Sequence, residues 1–109
     1  MRYLKLVILV IVLGNILGCS KEQTTKVINT PTIQCGMCQK NIESGLKSVP
    51  GVSKVTVNLD SKTTSVTYDA QKADIKNIEN SISKSGYQAN NVKADPVTYE
   101  SLPDCCKIG

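Results

Sequence analysis

Apolar residues recur along the chain at helical spacing in two places, which predicts two amphipathic helices. The first set is Cys38, Ile42, Leu46 and Val49. The second set is Ile75, Ile78 and Ile82. Residues three, four or seven apart share one face of a helix, so each set forms a stripe that can pack on a core. We expect Pro50-Gly51 to end the first helix and Gly86 to end the second as its C′ residue.

Apolar and polar residues alternate elsewhere, which predicts strands. The apolar or β-branched positions of a central hairpin are Val55, Val57, Leu59, Thr64, Val66 and Tyr68. The polar turn Asp60-Ser61-Lys62 separates its two strands. Val27-Ile28 and Thr32-Ile33 frame a first strand, and residues 87–92 offer a short last one. The resulting order is β-α-β-β-α-β.

This order is that of a ferredoxin-like α+β sandwich, with a four-stranded antiparallel sheet and two helices on one face. We expect the domain to cover residues 26–93. Residues 94–109 lack periodicity and contain Pro96 and Pro103, so we expect a flexible tail there.

Residues 1–18 have the pattern of a signal peptide. Arg2 and Lys5 precede an apolar stretch that would be about 21 Å long as a helix, shorter than the roughly 30 Å of a hydrocarbon core. The following Ile-Leu-Gly-Cys at 16–19 resembles a bacterial lipobox, which implies lipidation of Cys19 and cleavage before it. Plain secretion and an uncleaved anchor are the alternatives. Residues 19–25 would then be the lipidated cysteine and a polar tether.

Composition excludes several classes of function. The full chain has a formal charge of +4, and cleavage before Cys19 would leave 11 Lys+Arg against 9 Asp+Glu, a net charge of +2. The near-neutral charge, without Trp or Phe, argues against a nucleic-acid partner. The chain has no His, so a catalytic triad built on histidine is impossible, and we predict a protein that is not an enzyme.

Cysteines carry the candidate chemistry. Cys35-Gly36-Met37-Cys38 falls where the first strand meets the first helix. The partial positive charge at a helix N-terminus stabilises thiolates, and two thiolates three residues apart can share one ion. Sulfur donors favour Cu(I), Zn(II), Cd(II) and Hg(II) over Mg(II) or Ca(II). We therefore expect Cys35 and Cys38 to be the primary metal ligands.

With this motif placed after strand one, the chain resembles the heavy-metal-associated domain family. The resemblance covers residues 26–93 and includes the CxxC motif, Val-Pro-Gly-Val at 49–52 and Gly86-Tyr87. The family usually has Gly-Met where this chain has Thr32 and Ile33, which leaves the fold intact but puts loop flexibility and metal selectivity in doubt. Copper chaperones, N-terminal modules of metal-transporting P-type ATPases and the periplasmic mercury-binding protein are members.

The resemblance implies a soft-metal cargo, most readily Cu(I) or Hg(II), with Zn(II) and Cd(II) as further options. It also implies a partner that donates or accepts the ion through thiols, such as a metal-transporting P-type ATPase or a membrane transporter. In the family the last strand lies beside the first, which would place Tyr87 near the CxxC loop. Tyr87 would then shield the metal, lend it a hydroxyl, or simply cap the core.

A second cysteine pair, Cys105-Cys106, stands close to the end of the chain. It resembles the double-cysteine tail of mercuric reductases over a few residues. The 13 residues from Val92 to Cys105 average about 20 Å as coil, against about 18 Å for a short strand, so the tail can reach back to the CxxC. Four roles of the pair stay open. It would complete a four-sulfur site with Cys35 and Cys38, or it would pass an ion to them. Alternatively, it would form a disulfide or have no role.

Three functions remain open. The leading hypothesis is a lipid-anchored protein of the bacterial cell envelope, facing the periplasm or the exterior, that relays or sequesters a soft metal by ligand exchange. The second is a thiol–disulfide oxidoreductase, because a CxxC at a helix start also suits that chemistry. The third is a structural lipoprotein stapled by disulfides.

Overall fold

The computed structural model describes residues 23–107, and seven elements follow one another along them. They are β1 (Gln23–Asn29), α1 (Gly36–Lys47), β2 (Val52–Asn58), β3 (Thr63–Asp69), α2 (Ile75–Lys84), α3 (Pro96–Ser101) and a 3-10 turn (Asp104–Cys106). The predicted signal peptide and Cys19 lie outside the described residues. Among the helices described, none has the length and apolar character needed to cross a bilayer.

Within the described range the sheet has three antiparallel strands in the order β1-β3-β2. β1 pairs with β3 from Gln23 opposite Asp69 to Asn29 opposite Thr63. β2 pairs with the other edge of β3, with an irregularity between Val52 and Lys54. The hairpin is where the alternation predicted it. The first strand, however, includes Gln23–Thr25, which the sequence assigned to the tether, and it ends before Thr32-Ile33.

The prediction of a fourth strand was wrong for the described residues. Between α2 and residue 107 the chain makes only an isolated bridge between Ala89 and Val92. Asn90 has a φ of +51°, so the chain turns back on itself there instead of extending. Asn90 still joins the end of β1, because its N–H donates to Asn29 O (2.7 Å) and its side-chain oxygen accepts from Asn29 N–H (2.9 Å).

Helices α1 and α2 supply one layer of the core and the sheet supplies the other. Their buried residues are Cys38, Ile42, Leu46, Ile78 and Ile82, as the two stripes predicted. Asp74 begins α2 with a capping box, in which Asp74 accepts from Asn77 N–H and the Asn77 side chain accepts from Asp74 N–H. Gly86 follows α2 with a φ of +101°, which agrees with its predicted role as C′ residue.

Buried contacts hold the loop between β1 and α1 against the end of the sheet. Thr30 is fully buried and shares a 3.1 Å hydroxyl hydrogen bond with Thr64 on β3, while its N–H donates to Lys62 O. Ile33 is also fully buried, so it fills the space under the loop. These contacts hold the start of α1, where the CxxC lies, against the end of the sheet.

The segment after residue 93 differs from the predicted irregular tail. α3 begins at Pro96, after Asp95, whose side chain accepts from Val97 N–H. Asp95 N–H donates to Ser83 O, and Ser83 Oγ donates to Lys93 O, so the segment is tied to the end of α2. Pro at the first helical position is favoured there because it needs no hydrogen-bond acceptor. The sequence signal for this helix was present but too short to show periodicity.

Candidate metal centre

The CxxC motif forms the start of α1. Cys35 is the N-cap residue with extended backbone (φ −149°), and Cys38 is the third helical residue. Their Sγ atoms are 3.8 Å apart. Cys38 is fully buried, and its Sγ accepts a 3.4 Å hydrogen bond from Gln34 N–H, whereas Cys35 is only partly buried. One sulfur therefore faces the core while the other is open to the outside.

The C-terminal pair lies on the same loop. Cys35 Sγ is 2.8 Å from Cys105 Sγ and 3.7 Å from Cys106 Sγ, and the two tail sulfurs are 3.9 Å apart. The sulfurs of Cys35, Cys105 and Cys106 all lie within 4.8 Å of one another. The four cysteines of the described chain are free thiols. The structure thus places Cys105 and Cys106 beside Cys35, while Cys38 lies next to Cys35 but outside this three-sulfur group.

Leu102 docks this segment on the domain. It is 9% exposed, and its side chain packs so closely on Gly86 that a Cβ there would lie 2.9 Å from a Leu102 methyl carbon. Beyond it, Cys106 N–H donates to Pro103 O (2.8 Å), which closes the 3-10 turn. Cys106 is fully buried and Cys105 is exposed. The turn therefore presents one sulfur inward and the other outward.

The pKa of Cys35 falls from an ordinary 9.0 to about 6. The main cause is the hydrogen bond with Cys105, because a hydrogen bond to the charged form of Cys35 favours the thiolate. The N–H groups of Cys38 and Met37 also favour the thiolate, although neither has the geometry of a full capping bond. Partial burial acts in the opposite direction. Cys35 is therefore ionised more readily than an ordinary cysteine.

The pKa values of the two C-terminal thiols, Cys105 and Cys106, are raised instead of lowered. The pKa of Cys105 is raised mainly by the hydrogen bond with Cys35, which favours the protonated thiol of Cys105, and further by desolvation. Burial raises the pKa of Cys106 far above its ordinary range, and the neighbouring Cys38 adds to this effect. Cys35 therefore lies as a thiolate beside the protonated thiols of Cys105 and Cys106. Binding an ion would release the remaining protons.

Tyr87 interacts with the thiols of Cys106 and Cys38. It is fully buried, and its hydroxyl oxygen accepts a 2.9 Å hydrogen bond from Asn41 Nδ2. Burial, with added contributions from the thiols of Cys106 and Cys38, raises the pKa of Tyr87 above its usual range. Tyr87 therefore remains a neutral phenol that closes the inner side of the cluster.

Sequence reasoning missed two residues that shape the site, Asn41 and Leu102. Asn41 follows Cys38 by three positions, so helical spacing alone places it on the same side of α1. That spacing was the available signal for it. Leu102 had no periodic neighbours, and nothing in the sequence pointed to its contact with Gly86.

The family model for the heavy-metal-associated domain matches residues 27–88. The chain belongs to this family. The matched range includes the CxxC and Tyr87, but it ends before α3 and the Cys105-Cys106 pair. The second cysteine pair is therefore outside the part of the chain that defines the family.

The chain is similar to a copper-exporting ATPase, a copper chaperone and the solved structure of MerP. A copper-exporting P-type ATPase of Bacillus subtilis is 35% identical over 74 residues, which are 68% of this chain but only 9% of the ATPase. The copper chaperone CopZ of Staphylococcus aureus is 32% identical over 62 residues, which are 57% of this chain and 91% of the chaperone. Oxidised MerP from Ralstonia metallidurans CH34 superposes with a TM-score of 0.61 at 25% identity, over 63% of this chain and 96% of that one.

Proposed function

We propose that this protein binds a soft metal ion at Cys35 and Cys38 and exchanges it with a thiol-bearing partner. The observation that carries the proposal is the placement of both sulfurs, 3.8 Å apart, at the first turn of α1. One of them is ionised near neutral pH, and thiolates are the donors that soft ions prefer. Membership of the heavy-metal-associated family supports the same function.

The unequal exposure of the two cysteines suits transfer by ligand exchange. Cys35 is accessible, so the thiolate of a partner can approach the ion from that side while Cys38 still holds it. Each new metal–sulfur bond then replaces one that breaks, and the ion is never released to water. This process requires no catalytic group, so we expect no enzymatic turnover.

Copper is the first choice for the ion. The similar proteins named above include a copper chaperone and a copper-exporting ATPase, which supports Cu(I) as cargo and a P-type ATPase or other membrane transporter as partner. Hg(II), Zn(II) and Cd(II) remain ions that the same donors bind.

We also propose that a lipid on Cys19 anchors the protein to the bacterial cell envelope. β1 begins at Gln23 and runs for about 20 Å before the loop that leads to Cys35. A tether attached to the start of β1 would leave the metal loop at the opposite end of the domain. The thiols would then face away from the membrane, where a partner can reach them.

A titration tests the proposed metal site. The full chain carrying Cys19→Ser, reduced and kept in detergent micelles, would be titrated with Cu(I) against a competing chelator. We expect one tightly bound ion per chain and loss of tight binding in Cys35→Ser/Cys38→Ser, with Ser44→Ala on α1 as the matched control. Equal affinity of the double variant and the control would contradict the proposal.

A thiol–disulfide oxidoreductase is the second candidate, and the low pKa of Cys35 favours it. In that function Cys35 and Cys38 would become a disulfide while a substrate disulfide is reduced to two thiols. Reduction of insulin separates the two functions. We expect no reduction above that of free dithiothreitol, and a clearly faster rate would favour the oxidoreductase.

A further inference from the structure

We propose that the C-terminal cysteines belong to the metal site, so that one ion is held by three or four thiolates from a single chain. This inference rests on the proposed function and adds ligands to it. The ligands would be Cys35 and Cys38 from α1 with Cys106, and with Cys105 as the outer fourth.

The sulfur spacings fit a compact site better than a linear one. With metal–sulfur bonds of about 2.3 Å, sulfurs are about 3.8 Å apart around a tetrahedral ion, about 4.0 Å around a trigonal ion and about 4.6 Å across a linear one. Cys35 Sγ lies 3.8 Å from Cys38 Sγ and 3.7 Å from Cys106 Sγ, and the tail sulfurs are 3.9 Å apart. Three separations therefore correspond to an ion with more than two sulfur ligands.

The separation between Cys35 and Cys105 shows which sulfur must move. Cys35 and Cys105 are 2.8 Å apart, about 1 Å less than the tetrahedral distance. Cys105 is exposed on the last described turn, so it can shift outward without disturbing the core. Cys38 and Cys106 are fully buried and form the inner half of the site.

The tail is built into the fold at this point. Leu102 packs on Gly86, immediately before Tyr87, and α3 is tied through Asp95 N–H to Ser83 O. Cys106 is as buried as the core residues of α1. These contacts place the second pair on the CxxC loop before any ion binds.

Additional ligands would change how the ion is released. A partner's thiolate approaching Cys35 would meet Cys105 on the same side of the site. The tail must therefore move before ligand exchange can proceed, because its sulfurs compete with the partner for the ion. The closed form favours retention of the metal, and displacement of the tail favours transfer.

Cadmium tests the number of ligands, because Cd(II) takes up to four thiolates and has an NMR-active isotope. The full chain with Cys19→Ser, reduced and in detergent micelles, would receive one equivalent of ¹¹³Cd(II). The ¹¹³Cd chemical shift and the number of thiols protected from iodoacetamide would be measured. The variants are Cys105→Ser/Cys106→Ser and the single Cys105→Ser, whose exposed site leaves the fold intact, with Val97→Ser on the exposed face of α3 as control.

We expect three or four protected thiols in the parent and in the control. The double variant should protect two and bind Cd(II) at least tenfold more weakly, and Cys105→Ser should lose one protected thiol if four sulfurs bind. Two protected thiols and equal affinity in every protein would overturn the inference and leave the proposed CxxC site standing. Absence of Cd(II) binding in the parent would overturn both.

Discussion

Leu102 docks the C-terminal segment on the domain, so its truncation to alanine should release that segment. The side chain is 9% exposed and covers Gly86 at the end of α2. Four residues later, Cys106 is fully buried beside the CxxC loop. Without the leucine, the hydrogen bonds around α3 remain, but the apolar contact that closes the segment is lost.

The size of the effect follows from the burial of Leu102. Replacing a buried leucine by alanine costs about 2–5 kcal/mol, and a site at the domain edge belongs at the lower end, about 2–3 kcal/mol. Each 1.4 kcal/mol changes an equilibrium constant tenfold. The population with an undocked tail should therefore rise by about 30- to 150-fold.

Labelling of Cys106 measures this population. The metal-free full chain with Cys19→Ser would be treated with iodoacetamide at pH 8, and the rate of modification followed by mass spectrometry of the Cys106 peptide. When opening and closing are fast, this rate is proportional to the open population. Val97→Ala is the matched control, because Val97 is on α3 but 79% exposed and its truncation should leave the rate unchanged.

Two results would refute the reasoning. A rise of less than threefold in Leu102→Ala would show that the leucine does not hold the tail. An equal rise in the hydrogen exchange of Ile42, in the core of α1, would show that the whole domain was destabilised instead.

Three further predictions concern the site and its support. Because the folded pKa of Cys35 (about 6) lies below the ordinary 9.0, the unfolded chain binds more protons above pH 6, so the free energy of unfolding in urea should rise from pH 6 to about 8, below the range where the raised pKa values of Cys105 and Cys106 act in the opposite direction. A fall over that interval would contradict the shift. Gly86→Ala should destabilise the domain by about 1–3 kcal/mol, because alanine is strained at φ +101° and its Cβ meets Leu102. An unchanged urea midpoint would argue against both causes. Tyr87→Phe should cost about 1 kcal/mol in the same assay, since it removes the acceptor of Asn41, whereas no loss would show that the bond contributes nothing.

Periodicity predicted those elements that bury one face and expose the other. The stripes of α1 and α2 and the hairpin of β2 and β3 all have this property, and the structure has them in the expected order. The prediction of a fourth strand failed because the backbone conformation of one residue, Asn90, prevents an extended chain there. Asn90 takes a left-handed conformation that turns the chain, and a run of alternating residues cannot reveal that choice.

The candidate site was predictable in its residue types but not in its assembly. The CxxC pattern identified Cys35 and Cys38, and chain length showed only that Cys105 and Cys106 were able to reach them. Their approach depends on Leu102 and on the short helix α3, which are contacts between distant parts of the chain. Such contacts leave no local pattern, so the sequence alone left the role of the tail open.

The most direct test of the metal site is X-ray absorption at the copper edge. The full chain with Cys19→Ser, loaded with one equivalent of Cu(I), should show sulfur as the only ligand atom in the first coordination shell. The variant Cys35→Ser/Cys38→Ser should lose sulfur ligands from that shell. Oxygen or nitrogen ligands in the parent, or an unchanged sulfur shell in the variant, would contradict a metal site built on Cys35 and Cys38.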